Sequence, residues 1–211
     1  MSGGGHGGSS GGITKPITAR AWQRMLSGRR LDLLDPSPLD VEMEDIAHGL
    51  ARVARWNGQT EGNHAFSVAQ HSMQVEQVMG ILNPALSAQH RLYALLHDAP
   101  EYVIGDMISP FKAVVGGAYK EVELRLEAAI HRRVGLPAHP DAKLKKAIKK
   151  ADKIIAYFEA TELAGFSTKE AAKFFGRPNG VTVDQLNLTP LPTTEAQSQF
   201  MQRLEEVIDQ L

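Results

Sequence analysis

Four side chains in this sequence have the types that hold a divalent ion: His71, the adjacent pair His97 and Asp98, and Asp152. Two imidazoles and two carboxylates make a mixed nitrogen and oxygen set. Such a set suits one first-row divalent ion, Mn²⁺, Fe²⁺, Co²⁺, Ni²⁺ or Zn²⁺, and does not choose among them. The pair His97–Asp98 closes the apolar run Tyr93-Ala94-Leu95-Leu96. Two polar groups there are costly unless an ion or hydrogen bonds satisfy them. Singly, each residue has an ordinary alternative: a hydrogen-bonded core histidine, a chance dipeptide, or an Asp152 paired with Lys149 or Lys153. Together, on stretches that all read as helix, they point to one metal centre. The sequence has no cysteine, so thiolate ligands, disulfides and a cysteine nucleophile are excluded.

Several helices must converge to bring these residues to one point. Val68, His71, Val75, Val78 and Leu82 recur at three- and four-residue intervals, which predicts a helix over 67–82 with His71 on its buried face. Further helices are expected over 87–98, where Pro100 ends or bends the chain, and over 118–134, 141–163, 168–175 and 193–211. On the 141–163 helix, Ile148, Asp152, Ile155 and Glu159 share one face, while the lysines from Lys143 to Lys153 spread round most of it and read as solvated. A short helix is expected near 21–26. Asp40 is expected to cap a helix carrying Ile46, Leu50 and Val53, with Glu42, Glu44 and Asp45 in its first turn. The run 181–183 is the one strand-like stretch. The expected fold is an all-α helical bundle: a flexible Gly/Ser-rich tail over 1–16, then a single domain over 17–211.

At 211 residues, with 43% hydrophobic and 22% charged side chains, the chain can bury a real core. A net charge of −1 offers no general attraction to nucleic acid or anionic membrane. No apolar run approaches a membrane span, and no signal-type N-terminus is present. A cytoplasmic protein acting on a small molecule, with neither nucleic acid nor membrane as partner, is therefore expected. The stripe Phe200, Leu204, Val207, Ile208 and Leu211 suits a homodimer as well as a core.

The segment Leu95-Leu96-His97-Asp98-Ala99-Pro100-Glu101-Tyr102-Val103-Ile104-Gly105-Asp106 resembles the HD-domain 5′-deoxynucleotidases of bacteria, in which an HDxxE element is followed five residues later by a second acid. Arg55-Trp56 matches that family's Arg-Trp pair. Gln70-His71-Ser72 stands where the family has an EHS-type first histidine, with Gln in place of Glu. Lys150-Ala151-Asp152-Lys153-Ile154-Ile155-Ala156-Tyr157 matches the element carrying the last ligand. The resemblance covers 46–163. It implies an HD-domain bundle and a metal-dependent phosphohydrolase cleaving the 5′-phosphomonoester of (deoxy)nucleoside monophosphates.

By the same resemblance His71, His97, Asp98 and Asp152 hold the ion, which acidifies a water and polarises the phosphoryl oxygen. Glu101 and Asp106 serve as general acid/base and water-orienting groups, and Arg55 and Trp56 meet the substrate. Two alternatives belong to other classes. One is a two-metal HD phosphodiesterase of cyclic or linear nucleotides, for which His131 and His139 are available. The other is a non-catalytic, metal-containing helical module. The loop 57–65 departs from the family, and its His64 is an added candidate contact.

Overall fold

Ser67, Ser87, Asp141 and Ser167 each place a side-chain oxygen on the backbone N–H three residues ahead, and each opens a helix. The computed structural model describes residues 21–107 and 117–211, so the tail expected over 1–16 lies outside the described residues. Among them are eight helices: α1 Met43–Leu50, α2 Val68–Leu82, α3 Ala88–Leu95, α4 Glu101–Ile104, α5 Gly117–Arg133, α6 Ala142–Glu162, α7 Thr168–Phe175 and α8 Thr193–Ile208. The fold is all-α apart from one antiparallel hairpin, β1 Trp22–Arg24 and β2 Arg30–Asp32.

Helix α2 is the hub. It packs on α1, α3, α6 and α8, and its buried residues run round the helix rather than along one stripe. That is the pattern of a helix enclosed on several sides. Gln70 and Gln74 are buried polar members, and both bridge to the 187–191 segment: the Gln70 amide donates to the Thr189 carbonyl, and Gln74 accepts from the Asn187 N–H. Helix α6 crosses α2 and brings its Asp152 and Glu159 face toward His71. Gly49 lets α1 approach α4, because a Cβ there would lie 2.7 Å from the Tyr102 Cβ.

Four local expectations are corrected. The stretch near 21–26 is the β1 strand and its turn, not a helix: Arg24 and Arg30 both stack on Trp22, and Leu31 is buried. Asp40 caps nothing. It closes a 3₁₀ turn, Pro38–Asp40, that Ser37 caps, and α1 starts later, after Glu42. The helix expected over 87–98 stops at Leu95, and a turn through Pro100 leads into α4. The run 181–183 pairs with no strand among the described residues; Val183–Gln185 is a 3₁₀ turn closed by a Thr182–Gln185 capping box. Of the C-terminal stripe, Phe200, Leu204 and Val207 are fully buried in the chain's own core. No described helix is long and apolar enough to cross a membrane.

Candidate metal centre

His71 (α2), His97 and Asp98 (the turn after α3) and Asp152 (α6) converge. The His71 Nε2 lies 3.6 Å from Asp98 Oδ2 and 3.4 Å from Asp152 Oδ1, and His97 Nε2 lies 3.2 Å from the same Asp98 oxygen. Donor atoms bound about 2.1 Å from one ion stand ~3.0–3.4 Å apart in octahedral or tetrahedral arrangements. Two of the three observed spacings fall in that range, and the third, 3.6 Å, lies just beyond it. Both Nε2 atoms are buried and have no hydrogen-bond partner among the described residues. Orphaned buried imidazole nitrogens facing two carboxylates fit a divalent cation. His71, His97 and Asp152 can between them hold an ion; Asp98 is not in that group of three, though its Oδ2 lies beside both Nε2 atoms.

The other nitrogen of each ring is committed. His97 Nδ1–H donates to the Ala94 carbonyl at 2.8 Å, and His71 Nδ1–H donates to Glu159 Oε1 at 2.6 Å. With Nδ1 engaged in each ring, Nε2 is the nitrogen left to face the site, which is how outer partners orient metal-binding histidines.

Glu159 is the residue whose role sequence reasoning missed. It is fully buried, and its second oxygen accepts from the Trp56 indole N–H at 2.9 Å and from Arg55 Nε at 3.3 Å. Burial alone would raise its pKa, but Arg55 and His71 hold it down at about 2. One signal was present: an acid two turns beyond Asp152 on a face otherwise made of Ile148 and Ile155 needs a buried partner. We expect Glu159→Gln to weaken divalent-ion affinity about 10- to 100-fold, read by competitive titration against a chromogenic chelator. Unchanged affinity would remove Glu159 from the support of His71.

Arg55 also reaches Asp106, with Nη1 to Oδ2 at 2.9 Å. Burial opposes its charge, yet Glu159, Asp106, Asp98 and Asp152 together keep it firmly protonated. Trp56 and Asn57 stand in the left-handed region, with φ of 57° and 51°, a conformation that costs non-glycine residues about 1–3 kcal/mol each. The turn sets two consecutive side chains, Arg55 and Trp56, on one carboxylate. The Trp56 ring then packs against Phe166 and Phe175 at 5.6 and 5.8 Å between centroids.

Glu101 opens α4 three residues after Asp98, its N–H on the Asp98 carbonyl, and is buried with 2% of its surface exposed. His64 is exposed in the 57–65 loop. His131 is buried, with Nδ1 on the Ala138 carbonyl and its ring against Tyr93, and His139 is exposed beside Glu127. Neither belongs to the metal-capable group found among the described residues.

The acids around His71 also set a pH dependence. Burial and Arg55 disfavour its charged form, but Glu159 and Asp152 outweigh them and raise its pKa to about 10. Ion-free protein therefore carries a proton on His71 at neutral pH, and an ion must displace it. Metal loading near pH 7.5 is expected to release about one proton per chain from this residue, and affinity should rise with pH up to about 10. Calorimetric titration in buffers of different ionisation enthalpy measures the release. A value near zero would mean that His71 is already neutral or is not a ligand.

The chain is similar to an uncharacterized protein of Rhodobacter capsulatus, 57% identical over 184 residues that span 87% of this chain and 94% of that protein. It is also similar to the uncharacterized protein YfdR of Escherichia coli, 27% identical over 169 residues, or 80% and 85% of the two chains. The family model described as 5′-deoxynucleotidase YfbR-like matches residues 45–203, a span that takes in Arg55, His71, His97, Asp98, Glu101, Asp152 and Glu159. On that match the chain belongs to the YfbR-like 5′-deoxynucleotidase family of HD-domain phosphohydrolases.

Proposed function

We propose that this protein hydrolyses the 5′-phosphomonoester of (deoxy)nucleoside monophosphates at the His71, His97, Asp98 and Asp152 centre. The single observation that carries the reading is the pair of buried, partnerless Nε2 atoms set against two carboxylates at ligand spacing. When bound, a divalent ion supplies Lewis acidity to a water and to the phosphoryl oxygen. Asp98 and Asp152 offset its charge while His71 and His97 fix its position. Arg55 uses Nε and Nη1 on Glu159 and Asp106, and Nη2 is engaged by no other described residue. That free end of the fork binds a phosphate oxygen. Trp56 holds its strained turn against Glu159, and the exposed part of its ring borders the sugar.

Glu101 is the proton-transfer group. Its buried carboxyl, one turn past Asp98, donates to the leaving 5′-oxygen or takes the proton of the attacking water. Asp106 acts through Arg55, fixing the direction of the guanidinium. Glu101→Gln is expected to retain the ion and to lower turnover about 10²–10⁴-fold. Equal turnover in ion-loaded wild type and variant would take Glu101 out of the mechanism. The substrate assignment is tested by phosphate release from 5′-dNMPs, 5′-NMPs and 3′-dNMPs with protein loaded with Mn²⁺ or Co²⁺. Release from 5′-monophosphates alone supports it. Cleavage of diesters in preference would favour the phosphodiesterase alternative, which the positions of His131 and His139 do not support.

A further inference from the structure

Lys146, Lys149, Lys150 and Lys153 fall at i, i+3, i+4 and i+7, one stripe of α6, and with Arg177 from the segment after α7 they line a groove of about 300 Å³. All four are exposed, in keeping with the expectation of a solvated face, and they share one stripe of it. Several cations elsewhere in the molecule are paired, among them Lys120 with Glu123, Arg133 with Glu42, and Arg203 with Glu76 and Glu206. None of the five groove cations has an acidic partner among the described residues. Like charges one turn apart destabilise a helix unless an anion screens them. The groove also has an apolar wall, formed by Ile154, Phe175 and Pro178. None of the four metal-centre residues lines it.

We propose that this groove is a second ligand site that takes a nucleoside di- or triphosphate. The lysine stripe and the Arg177 fork receive the phosphates, and the base lies on the apolar wall. Several cations at one point suit a compact polyanion better than a single phosphate. The volume is at the small end of the range for small-molecule pockets. A polynucleotide would need a basic track continued along the surface, and a chain of net charge −1 lacks the general attraction.

The test is calorimetric titration of the full chain in chelator, so that no ion at the metal centre recruits phosphate. The titrants are ATP, inorganic tripolyphosphate and a short thymidine oligonucleotide. ATP should bind once per chain, more tightly than tripolyphosphate, and more weakly as salt rises. Lys150 and Arg177 are exposed, so Lys150→Glu/Arg177→Glu should keep the wild-type unfolding midpoint while weakening ATP about tenfold or more. The site is overturned if ATP does not bind, or if the double variant binds it unchanged. Tripolyphosphate binding as tightly as ATP would remove the nucleoside from the assignment, and tighter oligonucleotide binding would give the groove to nucleic acid. None of these readouts requires turnover at the metal centre, so failure here is distinct from failure of the nucleotidase reading.

Discussion

Asp98→Ala protein is expected to bind no divalent ion at this centre and to lose at least about 10³-fold in phosphate release, both together. The expectation follows from one oxygen. Asp98 Oδ2 stands close to both imidazole Nε2 atoms, 3.2 Å from His97 and 3.6 Å from His71. Burial would raise the Asp98 pKa, but His97, His71 and Arg55 hold it well below the usual carboxylate range, so the group is ionised wherever the protein is folded. Alanine leaves the two imidazoles with a single carboxylate, Asp152, that is about one-third exposed. Ion content by plasma emission and phosphate release on the same sample check the result. Full ion content with lost activity would make Asp98 a catalytic group rather than a ligand.

Arg55→Ala is expected to destabilise the ion-free protein by about 3–5 kcal/mol at pH 7, the range for removing one partner of a buried ion pair. The guanidinium bridges Glu159, which is fully buried, and Asp106, which is nearly so. Without it, Glu159 keeps only His71 and the Trp56 N–H. The sign with pH is fixed by Glu159. Its folded pKa of about 2 lies below its ordinary 4.5. The wild type therefore gains stability from this group above pH 4.5 and loses it as pH falls toward 2. The variant lacks Arg55's share of that gain, so its deficit is largest at neutral pH and shrinks in acid. Urea unfolding at pH 7 and pH 4 measures both arms. A loss below about 1 kcal/mol would mean that solvent screens these pairs as it does at a surface.

The helices were legible where a cap and an apolar stripe coincide, as at Ser67 before Val68, Val75 and Val78, and at Asp141 before Leu144 and Ile148. The hairpin was not, because strands of three residues carry too little alternation to read. It is held by Leu31 in the core and by Trp22, on which Arg24 of the same strand and Arg30 from across the turn both stack. Asp40 and Glu42 compete as helix starters, and only the backbone decides between them. The four ligand-type residues could be picked out by chemistry and order. Glu159 could not, since its role lies in bonds to His71 and Arg55, 88 and 104 residues away in sequence. Nor does any glycine announce the left-handed pair Trp56 and Asn57.

The proposed reaction needs one ion per chain, and a metal titration followed by phosphate release checks this. Chelator-stripped protein is refilled stepwise with Mn²⁺ or Co²⁺, and ion content and phosphate release from a 5′-dNMP are followed together. Activity should rise from zero in proportion to bound ion and level off at one ion per chain. Activity that persists in ion-free protein, or that appears only when a second ion binds, would contradict the account.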